Sequence, residues 1–152
     1  MLEGMLKRKN IRIVNGARDW KHAVEIGVAP LLEDGSVTYD YVNAIIDLTE
    51  REGAYYVIMP EVALLHARPE NGVIRGQMAV TLLKNPVLFK NKSIPTKLLI
   101  AFSTLDSNSH LETLQQLGTV LSNQETVKKI LEVADVQVIW EALTKPCLPS
   151  AF

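Results

Sequence analysis

The sequence is poor in cysteine and contains no long apolar run. Cys147 is the only cysteine among 152 residues, which excludes a disulfide framework and a zinc site built from cysteines. No apolar run approaches the ~20 residues that a membrane-spanning helix requires. The N-terminal stretch MLEGMLKRKN also lacks the apolar region of a secretory signal. These absences favour a cytoplasmic protein in a reducing compartment.

Strong charge of either sign is also missing. The chain has 16 Lys and Arg residues against 17 Asp and Glu residues, so its net charge is −1. Because no basic cluster is large enough to cover a phosphate backbone, nucleic-acid binding is disfavoured. The short basic run Lys7–Lys9 is interpreted as a solvated N-terminal segment.

Motifs for metal, acyl-transfer and nucleotide chemistry are absent as well. The sequence has no H-x-H or H-E-x-x-H pattern, and Pro69 prevents His66 and Glu70 from sharing a regular helical face. It has no G-x-S-x-G elbow and no glycine-rich phosphate loop. We therefore expect no metal site, no bound nucleotide and no diffusible cofactor.

The composition that remains is that of one ordinary globular domain. Apolar residues make up 47% and charged residues 22% of the chain, which argues against a disordered protein. The length fits a single domain of roughly 100–200 residues. We expect this domain to occupy residues 1–144, and the proline-rich residues 145–152 to form a short tail.

The first third of the chain predicts two amphipathic helices. The stretch RDWKHAVEIGVAPLLEDG carries apolar residues at helical spacing, with Asp19 near its start and Gly35 as a stop. Pro30 lies inside this pattern and is expected to kink or shorten the helix. The stretch TYDYVNAIIDLTEREG predicts a second helix, with Thr38 as N-cap and Gly53 just after its end.

Short apolar runs follow, and helical spacing then returns. YYVIM, MAVTLLK and KLLIAFST are bounded by turn residues and predict strands. SHLETLQQLGTVLSN, NQETVKKILEVA and DVQVIWEAL predict three closing helices. The fold class expected from this order is α/β, with a mixed central sheet covered by helices on both faces.

His66 ends an apolar run and precedes the turn-forming residues ARPENG, which predict that it lies at the lip of the sheet. Imidazole accepts and donates groups near neutral pH, although a structural histidine bonded to backbone is the alternative. Arg68 and Arg51 are candidate phosphate clamps, because guanidinium pairs with phosphate in bidentate geometry. For Arg51, complementation of a helix C-terminus is the competing interpretation.

A second candidate segment is DSNSHLETLQQL. Ser109 and Glu112 fit a capping box, which would place His110 at the first helical position. Free amides of a first helical turn bind anions, and Asn108 and Ser109 are candidate additional donors to phosphate. The alternative interpretation is that this box only starts a helix.

These two segments resemble a known family. YYVIMPEVALLHARPENGV and DSNSHLE are similar to the two histidine segments of enzyme IIA of the phosphoenolpyruvate-dependent sugar phosphotransferase system. The likeness is to the mannitol/fructose-type superfamily, most of all to its ascorbate-type branch, and covers nearly the whole chain. One departure is Leu65, which stands where the family usually has proline before the histidine.

The resemblance implies a mannitol enzyme IIA-like fold and a specific activity. His66 would accept phosphate from the phosphocarrier protein HPr and pass it to a cysteine of enzyme IIB, which serves the membrane enzyme IIC. His110 would contact the phosphate, and the transported compound would be ascorbate or a related sugar. Two other hypotheses remain open: a regulatory phosphohistidine module that controls a protein partner, and a catalytically inactive relative, for which Leu65 is the only support.

Overall fold

The computed structural model describes residues 2–145 as a four-stranded sheet with helices on both faces. Cys147 and the rest of the expected tail beyond residue 145 lie outside the described residues. The elements are α1 (Leu2–Met5), β1 (Leu6–Val14), α2 (Trp20–Glu33), α3 (Tyr39–Glu52), β2 (Val62–Leu65), a 3-10 turn (Pro69–Asn71), β3 (Gln77–Val87), β4 (Thr96–Ser103), α4 (Ser107–Leu121), α5 (Gln124–Val133) and α6 (Val136–Thr144).

The sheet has the strand order β1-β3-β4-β2. The central pair β3 and β4 is antiparallel, whereas each outer strand is parallel to its neighbour. The short edge strand β2 stops where Leu65 pairs with Ala101, but β4 continues to Ser103. The chain after Leu65 can therefore leave the sheet beside a strand that is still extended.

Each face of the sheet carries its own apolar core, as the sequence predicted. Helices α2 and α3 supply the core on one face, and α1, α4, α5 and α6 supply the core on the other. Strand residues alternate between the two cores, because successive side chains point to opposite faces. Leu64 thus belongs to one core and Leu65 to the other. None of the helices within residues 2–145 is long and apolar enough to cross a membrane.

The predicted limits of the first two helices are mostly confirmed. The Asp19 carboxylate accepts a hydrogen bond from the His22 amide at 2.8 Å and caps α2. Thr38 and Gly53 flank α3. The prediction that Pro30 shortens α2 is wrong, because the helix continues to Glu33 with the proline buried in its last turn.

The sheet differs from the sequence analysis in two places: one predicted strand is wrong, and Lys7–Lys9, exposed as expected, lies within a strand that was not predicted. YYVIM is not a strand: its residues form turns in which the Val57 amide donates to the Ala54 carbonyl at 3.1 Å. Pro60, which has no amide hydrogen, and Glu61, at φ 70°, delay the strand to Val62–Leu65. Lys7–Lys9 is exposed but belongs to β1, because edge strands tolerate lysine and can be solvated on one side.

A glycine in α2 makes room for the residue that precedes His66. A Cβ added at Gly27 would lie 2.6 Å from Cδ1 of Leu65, closer than carbon atoms can approach. Both residues lie in the buried core between α2 and the sheet. Leu65 therefore fills a recess that exists only because position 27 has no side chain.

Gly27→Ala should destabilise the fold. The clash with Leu65 is expected to cost about 1–3 kcal/mol, offset in part by the ~1 kcal/mol that alanine contributes in a helix. Urea denaturation would measure the net loss of unfolding free energy. Gly118→Ala in α4 is the matched control, since nothing lies within 4 Å of its added Cβ. Equal stability of the two variants would contradict the close contact, and Leu65→Val should restore part of the loss in Gly27→Ala.

Candidate functional site

His66 directly follows the last residue of β2, at the lip of the sheet, where the sequence placed it. It is half-buried and lines an open cleft of about 1170 Å³ between the end of the sheet, α3 and the start of α4. The alternation of side chains along β2 places His66 on the same face as Leu64, where its ring meets Phe102 and His110. The histidine is thus both held by the sheet and open to solvent.

The imidazole of His66 is anchored through one nitrogen. Its Nδ1 lies 2.6 Å from the carbonyl oxygen of Leu64. A carbonyl oxygen can only accept a hydrogen bond, so Nδ1 must carry the proton. In the neutral ring this leaves the lone pair on Nε2, which is the nitrogen that can attack an electrophile.

Three aromatic neighbours fix the plane of that ring. The Phe102 ring stacks on it at 5.1 Å between centroids with an angle of 22°. The Tyr55 ring meets it edge-on at 5.8 Å, and the Tyr55 hydroxyl donates a hydrogen bond to the His66 carbonyl at 3.2 Å. Phe102 is completely buried, so it forms a rigid floor under the imidazole.

His110 on α4 supplies the third aromatic neighbour. Its ring centroid lies 5.1 Å from that of His66, at an angle of 54°, and it also contacts Phe102. The two histidines are 44 residues apart in sequence and adjacent in space. His110 Nδ1 lies 3.4 Å from the Thr104 hydroxyl. When that hydroxyl donates, the proton of His110 sits on Nε2, and the ring has an N–H donor on the nitrogen that does not contact Thr104.

The start of α4 differs from the sequence prediction. Its N-cap is Asp106, whose carboxylate accepts from the Ser109 amide at 2.7 Å. The predicted capping box of Ser109 and Glu112 is therefore wrong, and His110 lies at the fourth helical position, with its amide bonded to the Asp106 carbonyl. Aspartate is as good an N-cap as serine and stands three residues earlier, a signal already present in the sequence.

The predicted phosphate ligands fall into two groups. Arg68 and Arg51 both line the cleft with His66 and His110, and both are exposed. Within residues 2–145, no carboxylate lies within 4.0 Å of either guanidinium group. Asn108 and Ser109 do not line the cleft, whereas Ser107 does, and the Ser109 amide is already occupied by its cap.

The surroundings of both imidazoles favour the uncharged form of the ring. Burial lowers the pKa of His66 below its ordinary 6.5, opposed in part by the bond to Leu64 and reinforced by the neighbouring His110. Burial also lowers the pKa of His110. Four carboxylates line the same cleft: Asp40, Asp47, Glu52 and Glu70. No group of three His, Cys, Asp or Glu residues within the described part of the chain is placed to hold a metal ion.

Comparison with known proteins identifies the family of the chain. The family model described as phosphoenolpyruvate-dependent sugar phosphotransferase system, EIIA 2, matches residues 4–145. The mannitol-specific cryptic phosphotransferase enzyme IIA component of Escherichia coli (strain K12) is 31% identical over 144 residues, covering 95% of this chain and 98% of that protein. The ascorbate-specific EIIA component of the same strain is 32% identical over 130 residues, 84% of each chain.

Solved structures agree with the fold. The solution structure of the Escherichia coli cryptic mannitol enzyme IIA superimposes with a TM-score of 0.87 at 31% identity, covering 94% of this chain and 98% of that one. Mannitol enzyme IIA in its complex with phosphorylated enzyme IIB, from the same species, gives a TM-score of 0.79 at 18% identity, covering 91% and 96%. The latter supports the fold alone. With a family match over 142 residues (4–145) and relatives of this identity, the chain belongs to the EIIA 2 family of phosphoenolpyruvate-dependent sugar phosphotransferase systems, whose members are phosphoryl carriers in sugar transport.

Proposed function

We propose that this protein accepts a phosphoryl group on Nε2 of His66 from the phosphocarrier protein HPr and passes it to a cysteine of an enzyme IIB. The observation that carries the proposal is the 2.6 Å contact between His66 Nδ1 and the Leu64 carbonyl. It occupies one ring nitrogen and leaves the other free to attack, in a residue that lines an open cleft.

The transfer balances without a cofactor. The Nε2 lone pair of His66 attacks the phosphorus of the donor's phosphohistidine, so one P–N bond forms while the donor's P–N bond breaks and its imidazole leaves. His66 keeps its Nδ1 proton, and the phosphorylated ring becomes a cation that donates to the Leu64 carbonyl. A thiolate of enzyme IIB then attacks the same phosphorus, so a P–S bond forms while the bond from His66 Nε2 to phosphorus breaks. The electron pair returns to Nε2, and the neutral ring of His66, still protonated at Nδ1, is restored.

The neighbouring donors would stabilise the transferring group. Phosphoryl transfer depends on positioning and charge stabilisation more than on covalent machinery. His110 offers an N–H donor 5.1 Å away between ring centroids, and Arg68 and Arg51 line the same cleft. The amide of Ser107, the first residue of α4, can contribute. Asn108 and Ser109, the donors expected from the sequence, are instead engaged by the Asp106 carboxylate, which accepts from both of their amides and from the Ser109 side chain.

The proposed partners are supported by the family and by one related complex. Mannitol enzyme IIA, which shares the fold, forms a complex with phosphorylated enzyme IIB. The acceptor here would accordingly be an enzyme IIB in the cytoplasm, which would serve a membrane enzyme IIC. Relatives are named for mannitol and for ascorbate, and we propose ascorbate or a related sugar as the transported compound.

His66→Ala should abolish phosphorylation, because it removes the attacking nitrogen. The protein is incubated with phosphoenolpyruvate, enzyme I and HPr, and its intact mass is then measured by mass spectrometry. The wild type should gain about 80 Da, one phosphoryl group, which mild acid removes and mild base does not. His22→Ala is the control, because His22 lies on α2 with its Nδ1 bonded to the Arg18 amide. A full adduct on His66→Ala would sink the proposal.

His110→Ala should leave His66 able to accept phosphate but slow its onward transfer. Loss of one transition-state donor typically costs ~10²–10³ in rate, and a half-exposed site should lie near the lower figure. Single-turnover rates of both half-reactions, with circular dichroism to check folding, provide the measurement. If both half-reactions keep wild-type rates, His110 serves only the packing around Phe102.

Acceptance of phosphate should lose rate on the acid side, with a midpoint below the pKa of His66 in the unfolded chain. The reactive form is the neutral ring, and burial lowers the pKa of His66, so the rate should reach its plateau above that lowered pKa and fall as the pH drops through it. An NMR titration of the His66 ring should give the same midpoint as the pH profile of the single-turnover rate. The pKa of His66 in the urea-unfolded protein is the reference for the folded-state value. A folded-state midpoint at or above the unfolded one would contradict the burial argument.

A further inference from the structure

A buried hydroxyl bridges the two strands just beyond the point where their pairing ends. The last paired residues of β2 and β4 are Leu65 and Ala101, so the Ala67 amide and the Phe102 carbonyl lie past the ladder. Tyr41 of α3 places its hydroxyl between them. The Ala67 amide donates to Tyr41 Oη at 3.0 Å, and Tyr41 Oη donates to the Phe102 carbonyl at 2.6 Å.

The direction of these two hydrogen bonds is set by chemistry. An amide can only donate and a carbonyl can only accept, so one phenol hydroxyl satisfies both groups. Tyr41 is 1% exposed, and burial raises its pKa, which keeps the hydroxyl proton in place. The Ala67 carbonyl is also near, at 3.4 Å, but the shorter contact identifies Phe102 as the acceptor.

The two residues that the Tyr41 hydroxyl joins, Ala67 and Phe102, both contribute to the position of His66. Ala67 is the next residue in the chain, so its amide belongs to the peptide group that contains the His66 carbonyl. Phe102 carries the ring on which the His66 imidazole stacks. One hydroxyl therefore ties the backbone on the far side of the histidine to the floor beneath its side chain.

We propose that Tyr41 is a positioning residue, whose hydroxyl holds His66 in the ring orientation needed for phosphoryl transfer. The proposal rests on the proposed function of His66 and extends it to a residue that does not line the cleft. Small displacements of a reacting group can cost about 10²-fold in rate. The strand ladder fixes His66 from the N-terminal side only, and the Tyr41 bridge replaces the ladder on the other side.

A second buried tyrosine separates this role from general stability. Tyr56 is also 1% exposed in the same core, and its hydroxyl lies 2.8 Å from Thr49 Oγ1. Because the Thr49 hydroxyl donates to the Ile45 carbonyl, Tyr56 is the donor to Thr49. Tyr56→Phe thus deletes one buried, hydrogen-bonded hydroxyl, as Tyr41→Phe does, but at a site that bonds to neither Ala67 nor Phe102.

The experiment compares full-length wild type, Tyr41→Phe and Tyr56→Phe. The first readout is the single-turnover rate of phosphorylation over a range of concentrations of phosphorylated HPr. In Tyr41→Phe the rate at saturating phosphorylated HPr should fall about tenfold, a smaller loss than the ~10²-fold that a displaced reacting group can cause. The half-saturating concentration of phosphorylated HPr should stay unchanged. The second is the tautomer of His66 in long-range ¹H–¹⁵N spectra without phosphate, where Tyr41→Phe should lose the pure Nδ1–H form. Tyr56→Phe should match the wild type in both.

The outcomes are distinguishable. Equal rates and equal His66 spectra for the two variants would overturn the positioning role. If wild-type His66 is never phosphorylated, the proposed function fails, while the tautomer comparison still decides whether Tyr41 orients the ring. If Tyr41→Phe is too unstable to assay, Gly118→Ala is added to all three proteins as a stabilising background, and both readouts are repeated. Alanine stabilises a helix relative to glycine, and nothing lies within 4 Å of the Cβ that is added at Gly118. A Tyr41→Phe protein that still does not fold would assign Tyr41 to stability and refute the proposal.

Discussion

The hydrogen bond from His66 Nδ1 to the Leu64 carbonyl is the constraint on which the site depends. At 2.6 Å it links the ring to the peptide two residues earlier, so the ring can turn only if the end of β2 moves. That end is held by the pair of Leu65 with Ala101 and by the packing of Leu65 over Gly27. The sheet and α2 therefore determine the tautomer of the imidazole and the nitrogen that is free to react.

A phosphoryl carrier must also release the group that it accepts, and the cleft is suited to that. Four carboxylates and two guanidinium groups line it, Asp40, Asp47, Glu52 and Glu70 against Arg51 and Arg68. With more negative than positive side chains, the cleft gives little attraction for a free phosphate dianion. Under the proposed function, charge compensation would come from the two arginines, His110 and the start of α4. Such a cleft would favour phosphate as a group in transfer over phosphate as a bound product.

The sequence predicted what local spacing controls and missed what distant contacts decide. Helical periodicity predicted α2, with Asp19 near its start, and α3, with Thr38 as N-cap, because those signals lie within or next to one helix; Thr38 takes the N-cap position without a side-chain cap hydrogen bond. Strand β1 was missed because its pairing partners lie about 70 positions away in β3, where Leu6 pairs with Met78 and Ile11 with Val80. At the site, the placement of His66 at the sheet lip followed from the turn residues after it. The role of Tyr41 could not be read from the sequence, since its partners Ala67 and Phe102 lie 26 and 61 residues away.

Leu65 shows how one departure from the family pattern is accommodated. Proline before the histidine, which the resembling family usually carries, would restrict the backbone by its ring and would lack an amide hydrogen. Leucine imposes no such restriction, so another contact must limit the conformations of the strand end. Here the side chain is completely buried in the recess above Gly27, and the backbone remains paired with Ala101. Packing and pairing thus replace the stiffness of a ring, and Leu65 by itself gives no reason to regard the site as inactive.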